Sequence, residues 1–163
     1  MTAELPAFLY LAAVSVVLAA IDVVHHRLPN ALVLPSYPAG LVLLGVASAA
    51  HGDPGTYVRG LGGMAVLYSA YFLLVMAHPA GLGFGDVKLA GLLGLYLGWL
   101  GWGVHAVGAV LGILVGGLAG LILLAARRVT RRSAIAFGPA MLAGAFAAIL
   151  WGQQITDWYT GSS

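Results

Sequence analysis

The sequence predicts an all-α, polytopic membrane protein of about six transmembrane helices, on three observations. Of its 163 residues 61% are hydrophobic and only 7% charged, against about 25% charged in an ordinary soluble domain. Mean hydropathy is +1.00. The apolar residues fall into successive runs of span length, separated by short segments that collect the Pro, His, Asp and Arg residues. Residues 1–163 read as a single membrane-embedded domain. There is no cysteine, which removes disulfides, thiolate chemistry and cysteine zinc sites. The seven basic residues are too few and too segregated to suggest a nucleic-acid partner.

Taken in order, the spans are Leu5 to Ile21, Ala31 to Ala50, Val58 to Ala77, Val87 to Leu100, Gly103 to Ala126 and Ala134 to Trp151. The first is not a secretory signal, because Glu4 rather than Lys or Arg leads it, and Asp22, His25 and His26 follow it in place of a small-residue cleavage site. Pro35 and Pro38 in the second suggest a kink or a late helix start, since proline removes a backbone donor and clashes with the preceding turn. The fourth is short. In the fifth, Gly108, Gly112, Gly116 and Gly120 recur every four residues and form one stripe, which suits close packing inside the bundle or a homo-oligomer face. Beyond the sixth, GQQITDWYTGSS is polar and aromatic, and Trp158 and Tyr159 suit an interfacial anchor.

Orientation follows from the basic residues, which concentrate in cytoplasmic loops. With the first loop inside, Arg27, Lys88 and the run Arg127, Arg128, Arg131 and Arg132 all face the cytoplasm. Only Arg59 then lies outside, and both termini are external. The basic run reads as a topology signal and a contact for anionic membrane lipid.

Two acids stand out in this frame. Asp22 closes the first span and Asp86 opens the fourth, behind Gly83 and Gly85 in GLGFGDVKL. Acids near hydrocarbon are expensive and therefore suggest function. An even number of crossings between them returns the chain to the same, cytoplasmic, side. Two carboxylates in a partly desolvated site can share a proton, leaving one ionised as general base and the other protonated as general acid. That is the minimum equipment for metal-free peptide hydrolysis. Helix caps, ion pairs with Arg27 or Lys88, or a cation pathway would use the same residues. Glycines before Asp86 permit strained dihedrals and close approach of a second backbone.

The stretch AAIDVVHHRLPNALVLP, with GLGFGDVKLAGLLGLYLGW and AFGPAMLAGA, closely resembles the type IV prepilin peptidases, membrane aspartic proteases with a Gly-x-Gly-Asp motif. The resemblance covers nearly the whole chain, and its three motifs occur in the family's order. It implies that Asp22 and Asp86 are the catalytic pair, and that His25, Leu28, Pro29 and Asn30 form the neighbourhood of the first. Gly83 and Gly85 match the glycines of the second, and Gly138 with Pro139 match a late-helix motif. It also implies a metal-independent enzyme without cofactor. The substrate would be a prepilin or pseudopilin precursor, of Flp/Tad type or another, cut at the cytoplasmic face of the inner membrane. Larger members resemble this chain only after an N-terminal segment linked to methylation, often with paired cysteines. The expectation is therefore cleavage without methyl transfer.

The remaining polar residues have plainer readings. His25 and His26 suit tuning of Asp22, substrate contact or a simple interfacial position, and with His78 they show no metal-ligand spacing. His51 and His105 read as incidental. Lys88 suits a charge partner for Asp86 or a snorkelling interfacial lysine. Three other functions share features with this chain. A presenilin-type protease shares Gly-x-Gly-Asp but pairs it with Tyr-Asp, whereas Ile21 precedes Asp22 here. A proton- or cation-coupled transporter predicts mid-membrane acids and an internal repeat, and neither is present. A structural membrane subunit would tolerate Asp-to-Asn changes.

Overall fold

The computed structural model describes residues 3–25, 28–77, 82–125 and 137–161. His26, Arg27, His78, Gly81 and the basic run Arg127 to Arg132 lie outside the described residues. Six helices follow one another: α1 (Leu5–His25), α2 (Asn30–His51), α3 (Pro54–Ala77), α4 (Phe84–Leu100), α5 (Trp102–Ala125) and α6 (Gly138–Thr160). The protein is an all-α, multi-pass membrane protein. Helices α1, α2 and α3 and the segment Trp102–Ile122 are each long and apolar enough to cross a bilayer. Their outward faces, with Val16, Val42, Leu73 and Leu118 among them, are exposed apolar surface suited to lipid.

The short helix is the hub. From Asp86 to Trp99 every residue of α4 except Lys88 is buried, and α2, α3, α5 and α6 all pack on it. A helix that is apolar all round is buried on all sides. Its tightest neighbour is α3, where Gly60 and Gly63 meet Gly94 and Gly98 backbone to backbone. A Cβ on Gly63 would overlap the Gly94 carbonyl, and a Cβ on Gly94 the Gly63 carbonyl. Close approach of this kind is how helices gain contact in lipid.

The α5 stripe is also used inside the molecule. Gly108 faces Leu97 and Ala148, Gly112 faces Met141, and Gly116 receives the Phe137 ring. Buried residues on α1 repeat as Ala7, Leu11, Ser15, Leu18 and Asp22, a single stripe that ends on the acid.

Several boundaries differ from the sequence expectation. Helix α2 starts at Asn30 and runs through Pro35 and Pro38, so there is no late start. The Ser36 hydroxyl donates to Leu32 O at 2.7 Å within that region. Helix α6 continues past Trp151 to Thr160. Nothing in GQQITDWYT breaks a helix, Thr156 and Thr160 bond back to the carbonyls four residues earlier, and termination waits for Gly161 at φ +67°. Arg59 caps the C-terminal end of α4: its guanidinium donates to Gly98 O at 2.9 Å and Trp99 O at 2.7 Å, complementing the negative end of the helix dipole.

Candidate active site

The end of α1 and the starts of α2, α4 and α6 meet at one end of the bundle, and both acids lie there. Asp22, in the last turn of α1, is 3% exposed, and Asp86, in the first turn of α4, is 8% exposed. The two lie within electrostatic reach of each other. The helix of Asp22 runs on to His25, so this acid sits inside a helix turn rather than at the segment edge.

Each carboxylate is held by a backbone amide. Gly83 N–H donates to Asp86 Oδ2 at 2.9 Å. This is half of a capping box, with the third helical residue reaching back to the cap. Gly138 N–H, the first amide of α6, donates to Asp22 Oδ2 at 3.0 Å. That amide has no partner within its own helix, and the positive end of the α6 dipole adds to its attraction for a carboxylate. Pro139 follows at the second position of α6, where a missing N–H costs nothing.

Two of the glycines here are crowded where a side chain would stand. A Cβ on Gly138 would stand 2.6 Å from Asp22 Oδ2, and one on Gly85 would stand 3.0 Å from Leu28 Cβ. Gly83, by contrast, is exposed, with φ −94°, a conformation open to any residue. Its contribution is the amide.

Lys88 does not pair with either acid. Its ammonium donates to Asn30 Oδ1 at 2.8 Å, and its backbone carbonyl accepts from the Tyr37 hydroxyl at 2.6 Å. Both bonds tie the start of α2 to the first turns of α4. Pro29 caps α2 with an extended conformation, φ −70° and ψ 125°, and its carbonyl accepts from Leu32 and Val33. His25 is exposed at the end of α1. The sequence therefore gathers Asp22, Asp86, Gly83, Gly85, Gly138, Asn30, Lys88 and Pro29 at one end of the molecule, with His25 at its rim. Two residues near the acids escaped notice: Leu28 as a contact in its own right, and Tyr71, a buried α3 side chain within electrostatic reach of Asp86. The buried repeat of α3 through Leu67, Tyr71 and Val75 would have marked Tyr71 as inward.

Among the described residues, no three His, Asp or Glu side chains converge as a metal site. The two distant histidines have structural partners. His51 Nε2 meets Glu4 Oε2 at 3.3 Å, and buried His105 shares a hydrogen bond with Gly63 O at 3.1 Å.

Fold and site together describe a helical membrane protein that holds two acids at one end of its bundle. Residues 9–125 match the type IV leader peptidase family, and the chain belongs to that family. It is 36% identical over 156 residues to a prepilin leader peptidase/N-methyltransferase of Aeromonas hydrophila, covering 94% of this chain and 52% of that relative. To the protein of the same name in Stutzerimonas stutzeri it is 34% identical over 140 residues, 85% of this chain and 47% of the relative. The chain thus spans about half the length of the curated relatives it matches. No solved structure gives a significant match.

Proposed function

We propose that this chain is an aspartic endopeptidase of the inner membrane that removes the leader from prepilin-like precursors, of Flp/Tad or pseudopilin type, at the cytoplasmic face. The observation that carries the reading is the pair of buried carboxylates, within electrostatic reach of one another and each fixed by a backbone amide. Like charges in such a site favour one shared proton. The ionised carboxylate takes a proton from water as the water oxygen attacks the scissile carbonyl carbon. The protonated partner gives its proton to the carbonyl oxygen. As the tetrahedral species collapses, the C–N bond breaks, the leaving amine takes up the proton held by the base, and one hydroxyl of the diol returns its proton to the partner carboxylate, which restores the resting pair.

Position supports the same substrate class. A precursor with a short basic leader and a following apolar helix in the bilayer would present its junction at the membrane boundary, and the end of α1 with the start of α4, which carry the two acids, is the part of this chain that would meet it. The family match supports prepilin processing. The stretch matched by the family is described by peptidase activity, and we assign hydrolysis alone to this chain. Purified protein mixed in detergent with a prepilin should release the leader and expose a new pilin N-terminus, read by mass spectrometry. Added S-adenosylmethionine should leave that N-terminus unmethylated. An uncleaved substrate that a related peptidase does cleave would count against the reading.

A further inference from the structure

An apolar side chain, Leu28, lies beside both the start of α4, which bears Asp86, and the start of α6, whose first amide holds Asp22. Leu28 follows α1 and is half-buried, packed against the core. Its two methyl groups face different partners. A Cβ on Gly85 would lie 3.6 Å from Leu28 Cδ1 and 3.0 Å from its Cβ, while a Cβ on Gly138 would lie 3.6 Å from Leu28 Cδ2. Gly85 directly precedes Asp86, and Gly138 supplies the amide that holds Asp22. The fork of the leucine thus bears on the support of both carboxylates at once.

We propose that Leu28 is a positioning residue whose forked side chain wedges between Gly85 and Gly138 and sets the separation of Asp22 and Asp86. The proposal rests on the two-carboxylate reading above. With no Cβ at Gly85, where one would crowd Leu28 Cβ at 3.0 Å, Leu28 lies against the α4 backbone, which yields far less than a neighbouring side chain. In lipid no general hydrophobic force presses the helix ends together, so spacing at this junction falls to local packing. Misplacement of a reacting group by about 1 Å can cost on the order of a hundredfold in rate.

The test compares Leu28→Ala and Leu28→Ile with the wild type on a prepilin substrate, with kcat per folded molecule, KM and the thermal midpoint measured for each. Isoleucine keeps the volume and burial but carries its branch one atom earlier, so it cannot send two terminal methyls to the two glycines. We expect kcat to fall about tenfold or more in both variants, with KM within about twofold and the thermal midpoint of Leu28→Ile unchanged. If Leu28→Ala fails to accumulate, Leu28→Ile carries the comparison. Wild-type kcat in Leu28→Ile would overturn the proposal, because an ordinary apolar contact is satisfied by either residue. Asp22→Asn and Asp86→Asn run alongside. Cleavage by either would remove the two-carboxylate reading itself, whereas inactive Asp variants beside a normal Leu28→Ile would remove only the wedge.

Discussion

Gly138 donates its backbone N–H to the carboxylate of Asp22 at 3.0 Å, joining positions 116 residues apart. The contact needs an open amide at the start of α6 and no side chain on that residue. An alanine methyl would stand 2.6 Å from Asp22 Oδ2, closer than ordinary packing allows, so the carboxylate has to turn away. Gly138→Ala is predicted to lower kcat by about 10- to 100-fold with a smaller effect on accumulation in the membrane. Steady-state cleavage by equal amounts of folded protein checks it.

The α3–α4 contact is predicted to be the most sensitive packing in the molecule. Gly63→Ala and Gly94→Ala each drive a methyl group into a facing carbonyl that belongs to a rigid helix. Overpacking costs about 1–3 kcal/mol, occasionally more, and here backbone must move. A fall in thermal midpoint in detergent, or loss of accumulation, is expected for both. Gly117→Ala, which meets nothing within 4 Å, is the matched control and should be neutral.

Arg59 is predicted to matter for stability and not for chemistry. Its guanidinium closes the far end of α4 through Gly98 and Trp99, at the opposite end from Asp86. Arg59→Met keeps much of the stem and loses the two charge-assisted bonds, at a cost of about 1.5–3 kcal/mol each at most. The thermal midpoint should drop while kcat per folded molecule stays at the wild-type value.

Asp53 supplies a pH dependence that can be isolated from the site. It precedes α3 and holds that helix start, accepting from the Thr56 hydroxyl at 2.6 Å and the Thr56 amide at 3.3 Å. The Thr56 hydroxyl bond, then its amide, hold the Asp53 carboxyl below its ordinary value of 3.8. A lowered carboxyl stabilises the folded state fully above its unfolded value, and that contribution fades as pH falls through the folded one. Asp53→Ala should therefore be less stable than the wild type at neutral pH. The gap should close in acid below about pH 4, as thermal melts across that range would show.

Much of the architecture was legible because a membrane imposes a simple requirement. Each span must be apolar for its length, so the six runs located six helices, and alternation of sides put Asp22 and Asp86 at the same end. Other features were hidden for physical reasons. Polar residues such as Gln153 and Thr156 looked like the end of a span, yet they continue α6 because nothing there interrupts the backbone hydrogen bonds. Lys88 looked like a charge partner for Asp86, but two residues along a helix turn it about 200° away, toward Asn30. The support of Asp22 by Gly138 and the wedge of Leu28 depend on segments far apart in the chain, and no local pattern announces them. The regular glycine stripe of α5 was conspicuous, while the less regular Gly60, Gly63, Gly94 and Gly98 make a backbone contact as close as that of Gly112 with Gly144.

The most direct measurement is cleavage of a prepilin by the wild type, Asp22→Asn and Asp86→Asn, each purified to equal folded amounts. Asparagine keeps the shape and the amide contacts but cannot exchange a proton as a carboxyl does. The account predicts a leader-length shift with the wild type and none with either variant. Wild-type cleavage by Asp22→Asn or by Asp86→Asn would contradict it.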